Sequence, residues 1–260
     1  MSAPAPADGV PEFLRRLVDT TIDLPLRHRA PRPTATARRS AVLILFGAGP
    51  DGPDVLLIEK STALRRHAGQ PAFPGGGADP GEDYPVGTAL REAYEEAGVD
   101  PAGVRVLATL PELFLGPSDN RVIPVLGWWD EPGEVATGDP REVARVARVP
   151  LADLVEPANR FLVRHPSGYI GPAFEVAGMV VWGFTAGLLD AVLEAAGLNR
   201  PWDARQVRPL VVPPPPDGED GPGDLDEDTD PTDDDIDAPA APTVADDSDS
   251  PALPRTVPGR

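Results

Sequence analysis

The sequence predicts a single mixed α/β or α+β domain, and three features of the chain lead there. Short aliphatic runs bounded by turn residues read as strands, a segment of helical periodicity lies between such runs, and the last fifth of the chain is too poor in apolar residues to join a core. At 260 residues and 41% hydrophobic composition, the chain can bury the core of one domain with appendages.

The elements follow in order. In PEFLRRLVDTTI, Phe13, Leu14, Leu17 and Val18 fall on one helical face, which predicts an N-terminal amphipathic helix. A Pro- and Arg-rich link leads to AVLILF and, after the turn GAGPDGPD, to VLLIEK, which read as paired strands. VRVLATLPELFL and RVIPVLGWW have the same character, and Val181 to Gly197 reads as a closing helix, with Trp182 as a core residue. From Pro213 to Ser250 there are 15 Asp or Glu and no Lys or Arg. With Arg255 and Arg260 added, the 213–260 segment carries −13 of the chain's net −19. Such a stretch cannot bury enough surface to offset its ordering entropy, so it is expected to be a disordered acidic tail. The expected division is 1–36 (helix and linker), 37–212 (the domain) and 213–260 (the tail).

Composition also narrows function. With no cysteine and three histidines, a metal site has to be built from carboxylates, which favours Mg2+ or Mn2+. No apolar run approaches the ~20 residues of a transmembrane helix, and the N-terminus lacks a signal-peptide layout. A cytoplasmic location is expected, with no nucleic-acid or membrane partner; the oligomeric state is left open.

The segment FPGGGADPGEDYPVGTALREAYEEAGV, Phe73 to Val99, carries the chemistry. Val86, Ala89, Leu90, Ala93, Tyr94 and Ala97 recur at helical spacing, with Asp83 as the expected N-cap, Pro85 in the first turn and Gly98 as the stop. Glu92, Glu95 and Glu96 then share an arc of ~100° opposite that apolar stripe, bordered by Arg91. Glutamates on a helix face are ordinarily a solvated face. Gly75, Gly76 and Gly77 change that reading, because they permit close backbone approach to a ligand. An oxygen-rich substrate against the glycines, with a divalent ion between it and the acids, uses both features.

These residues resemble the Nudix hydrolase family, whose signature is a glycine, five residues, a glutamate, seven residues and then REUxEExGU, U being apolar. Arg91 to Val99 matches the second half, with Ala93 as a small first U. For the first half, counting from Gly77 places Asp83 at the glutamate position. Counting from Gly76 places Glu82 there, with eight residues before Arg91. Upstream, Leu56 to Gly76 is similar to the extended motif of the coenzyme A pyrophosphatase branch, in Leu56, Leu57, Ser61, Arg65, His67, Gly69 and Phe73 to Gly76. Lys60 stands where that branch has arginine, and the branch's longer spacing favours the Gly76–Glu82 register.

The resemblance implies an α/β/α sandwich with a mixed sheet and metal-assisted hydrolysis of a diphosphate, coenzyme A or an acyl-CoA giving 3',5'-ADP and 4'-phosphopantetheine. It implies Glu92, Glu95 and Glu96 as ligands of Mg2+ or Mn2+, Arg91 as their orienting partner, and Glu142 as a candidate general base. Arg65, His67 and Gly75 to Gly77 are then candidate substrate contacts, with Phe73 packing beneath. ADP-ribose or another nucleoside diphosphate derivative is the alternative substrate. A nucleotide-binding regulator without turnover is a further alternative, against which the intact REAYEE face argues.

Overall fold

The computed structural model describes residues 9–20, 37–64, 67–115 and 119–211. The expected tail, most of the expected linker, and Arg65 lie outside those residues. The organising strand is β1 (Arg38–Gly49), whose continuous apolar run is buried on both faces. Ala41, Leu43 and Leu45 face one hydrophobic cluster, and Val42, Ile44 and Phe46 face the other. That alternation is the period-2 geometry of a strand with helices or sheet on either side.

Strand β1 turns antiparallel into β2 (Gly52–Lys60) and pairs in parallel with β7 (Asn120–Trp129), so the sheet is mixed. Outside β2 lies β8 (Val143–Pro150), and outside β7 lies β5 (Val104–Thr109). Short pieces complete this eight-stranded sheet: β3 (Pro71–Ala72) on β2, β4 (Gly75–Gly77) on the first half of β1, and β6 (Leu113–Leu115) on β7. One face is covered by α2 (Val86–Ala97), which inserts Ala89, Ala93 and Ala97.

The opposite face packs against a second, four-stranded sheet and two helices. That sheet runs β11 (Met179–Val181), β10 (Ile170–Val176), β9 (Arg160–Arg164), β12 (Val207–Pro209). Helix α3 (Leu151–Leu154) follows β8, and α4 (Gly183–Ala195) lies on β10. Helix α1 (Glu12–Thr20) packs on α4, buries Leu14 and Leu17 completely, and sets Phe13 edge-on to Phe46 at 5.4 Å. The α/β/α layering expected from the sequence is present.

Local expectations need correcting at four points. Pro85, not Asp83, occupies the N-cap of α2, and no side chain caps it. Tyr94 does not join the apolar stripe but is 60% exposed, because it lies on the side of α2 away from the sheet. The closing helix starts later than expected, since Val181 pairs with Phe174 in β11. Trp182 is only half-buried: it packs against the core cluster of Phe161, Val163 and Ala173 and stacks on His165 at 5.4 Å.

Candidate active site

Helix α2 ends as its sequence requires, with Gly98 in the left-handed region at φ 70° and its N–H returned to the carbonyls of Ala93 and Tyr94. Its alanine stripe fixes its roll on the sheet and thereby aims the acids. The loop that feeds α2 comes from β4, where Gly75 to Gly77 pair with Ser40 to Val42. Ala41 and Gly76 are partners on the face turned to α2. A Cβ on Gly76 would fall 2.5 Å from Glu92 Oε1, so any larger residue here would push the carboxylate off its present position.

The acidic face is not a solvated one. Glu96 is 6% exposed, with Oε1 2.8 Å from Lys60 Nζ and Oε2 accepting the Gly75 N–H at 2.9 Å. Arg91 gathers the rest. Its Nε donates to Glu82 Oε1 at 2.9 Å, its Nη1 to Glu95 Oε2 at 2.7 Å and its Nη2 to the Gly77 carbonyl at 2.9 Å, with Glu92 Oε1 2.8 Å from Nη2. Glu82 also accepts from Thr88 Oγ1 at 2.8 Å and from the Asp79 N–H at 3.1 Å. The structure thus brings Glu82, and not Asp83, to Arg91.

Electrostatics distinguish these carboxylates. Burial pushes Glu92 up, the nearby Glu96 charge adds to it, and Arg91 only partly opposes, leaving its pKa at about 7. Burial also pushes on Glu82, but hydrogen bonds from Arg91, Thr88 and Asp79 together outweigh it and hold that carboxyl below its ordinary value. Burial disfavours the Arg91 charge, yet Glu82, Glu92 and Glu95 more than restore it.

Among the described residues, five carboxylates, Asp79, Glu82, Glu92, Glu95 and Glu96, are therefore shared by Arg91 and Lys60, a surplus of three negative charges when all are ionised. A hard divalent ion fits that surplus, and a cation beside Glu92 would offset the burial and the Glu96 charge that raise its pKa. Glu92 and Glu96 are the pair that would hold it. Glu95 is half exposed and bound to Arg91. No group of three acidic or histidine side chains converges to metal-binding distance among the described residues.

The remaining expected residues are distributed around this centre. His67 is buried at φ 59° with Nδ1 3.0 Å from Gln70 Oε1, in a loop closed by the Lys60 N–H on the Gln70 carbonyl. Glu142 is exposed just before β8, its carbonyl accepting the Ser61 N–H at 2.8 Å, so the β2–β8 pairing sets it beside the strand end that carries Lys60. Phe73 packs in the core beneath the loop. Sequence reasoning gave no role to Lys60 or Thr88. For Lys60 a signal existed: it shares strand parity with Leu56 and Ile58, which face α2.

Comparisons with known proteins agree with this geometry. A family model described as NUDIX domain matches residues 37–169. An Escherichia coli protein described as uncharacterized Nudix hydrolase NudL is 35% identical over 181 residues, covering 67% of this chain and 91% of its own length. Its namesake from Yersinia enterocolitica is 33% identical over 169 residues, covering 64% and 85%. No helix among the described residues is long and apolar enough to cross a membrane.

Proposed function

The chain belongs to the Nudix hydrolase family, and on that premise we propose that it hydrolyses the diphosphate bond of coenzyme A or an acyl-CoA, releasing 3',5'-ADP and 4'-phosphopantetheine. The observation that carries the diphosphatase reading is the carboxylate pair drawn out of water on α2, Glu92 against the Gly76 backbone with its pKa raised to about 7 and Glu96 on the Gly75 N–H. The narrower choice of coenzyme A rests on the resemblance of Leu56 to Gly76 to that branch's extended motif.

Glu92 and Glu96 would hold Mg2+ or Mn2+, with Glu95 able to join on leaving Arg91. Such an ion supplies neutralisation of phosphate charge and a more acidic water. The protein's own residues do the rest. Arg91 orients Glu92 through the single Nη2 contact on Oε1 and ties the helix to the Gly77 carbonyl. The glycine backbone leaves room for phosphate oxygens against the acids. Glu142 is the candidate to take the proton of the attacking water, and His67 and Arg65 are candidate contacts to the nucleotide half.

Incubating the full chain with coenzyme A, ADP-ribose and NADH, with and without Mg2+, and identifying products by mass spectrometry tests this reading. Coenzyme A is expected to be cut fastest, and only with metal. Faster cleavage of ADP-ribose would transfer the assignment to nucleoside diphosphate sugars, and binding without turnover of any of them would point to a regulator.

A further inference from the structure

Lys60 ends a buried strand, with 8% of its side chain exposed, beside a Glu96 carboxylate that is 7% exposed. Strand parity delivers it there, and a register irregularity at Glu59/Lys60 in the pairing with β8 marks the same spot. An ammonium taken this far out of water requires a partner, and Glu96 is one at 2.8 Å. The carboxylate is engaged on both sides, by Lys60 on Oε1 and by the Gly75 N–H on Oε2. For Glu96 to ligate a metal, one donor has to yield. Gly75 N–H belongs to backbone held in the β1–β4 ladder, whereas the lysine ammonium sits on a flexible four-carbon stem.

We propose that Lys60 is a positioning residue that stands in for the divalent ion. In the metal-free protein it neutralises and orients Glu96, and metal loading displaces it from Oε1. This rests on the reading of Glu92 and Glu96 as metal ligands and adds a competition between an internal cation and the ion.

Thermal unfolding and titration calorimetry of the full chain, in EDTA and in Mg2+ and without substrate, test it. In EDTA, Lys60→Met is expected to lower Tm by on the order of 10 °C, because a buried ion pair is broken and Glu96 loses the Lys60 charge beside Glu92. Saturating Mg2+ should recover most of that loss, and the Mg2+ Kd should fall about tenfold, since the ion no longer competes with an ammonium. Lys60→Arg keeps the charge and stays within a few degrees of wild type, but grips the carboxylate through two N–H groups and weakens Mg2+ binding about threefold or more.

An equal Tm loss with and without Mg2+ in Lys60→Met overturns the exchange and leaves Lys60 a structural ion-pair partner. An unchanged Mg2+ affinity in Lys60→Arg overturns it as well, even if the methionine variant does not fold. Absence of any Mg2+ response in the wild-type protein is a different result: it removes the metal reading itself, and the exchange with it.

Discussion

Arg160, at the start of β9, and Glu92, in the middle of α2, are both ionisable groups taken out of water, and their surroundings differ in charge balance. Arg160 is 1% exposed, ion-pairs with Asp190 of α4, donates to the Asn199 side-chain carbonyl, and lies 4.9 Å from the Phe174 ring centroid and 4.8 Å from that of Trp202. Burial works against its charge and Asp190 counters. One cation meets one anion, and its partners come from β10, α4 and the segment after α4, so the cluster pins the second sheet to its helix. Around α2, among the described residues, five carboxylates share two cations, and burial acting on that deficit, with the nearby Glu96 charge, raises Glu92. A balanced buried cluster joins elements of the fold, whereas an unbalanced one keeps capacity for a charged ligand.

The harshest way to break the comparison is at the balanced end. Arg160→Leu strands Asp190 and removes both ring contacts, so unfolding free energy should fall by about 3–5 kcal/mol. The Mg2+-induced gain in unfolding free energy should be unaffected, because the residue lies in the other sheet. Urea denaturation with and without Mg2+ reads both quantities, and a loss below about 1 kcal/mol would remove the pinning role.

The unbalanced end should declare itself in pH. Glu92 has a folded pKa of about 7 against an ordinary 4.5, so between those values the folded state binds more protons than the unfolded one. Its contribution is fully present below about pH 4.5 and lost as pH rises through 7, a fall of about 3 kcal/mol in metal-free protein. Glu82, with its lowered pKa, works oppositely but only at more acid pH. Urea midpoints measured in EDTA should therefore drop across that interval, and Mg2+ should flatten the slope. A profile that stays level in EDTA would contradict the deficit.

Glu92→Gln sharpens the contrast with least disturbance. Turnover should fall about a hundredfold, ~2.7 kcal/mol of lost transition-state stabilisation, while metal-free stability at pH 8 holds or rises because the surplus charge is gone. Near-normal rates at saturating Mg2+ would dismiss Glu92 as a ligand. Glu96→Gln is the less clean experiment, since it also removes a buried ion pair with Lys60.

Much of this centre was legible in the chain itself. The alanines of α2, the Gly98 stop and the i, i+3, i+4 spacing of Glu92, Glu95 and Glu96 are local patterns, and a helix obeys them wherever it sits. The aliphatic runs of β1 and β2 likewise announced strands, and the second face of β1 was implicit in its lack of polar alternation. Legibility failed where distance along the chain did. The residue count alone could not choose between Glu82 and Asp83, and only the resemblance of the upstream motif favoured Glu82, because the choice is made by which carboxylate reaches Arg91 nine residues later.

What the sequence by itself determined is the amphipathic order of the elements, the acidic helix and the glycines that precede it, all set by backbone preference and side-chain period. What only the tertiary structure decided is the electrostatic state of that helix. An exposed acidic face and a buried one have the same spacing. It is the packing of α2 against β1 and β4, with Lys60 arriving from the end of β2, that takes Glu92 and Glu96 out of water, pairs Glu96 with a lysine and pushes Glu92 up to about 7. Desolvation depends on what surrounds a group in space, and no local pattern of residues encodes it.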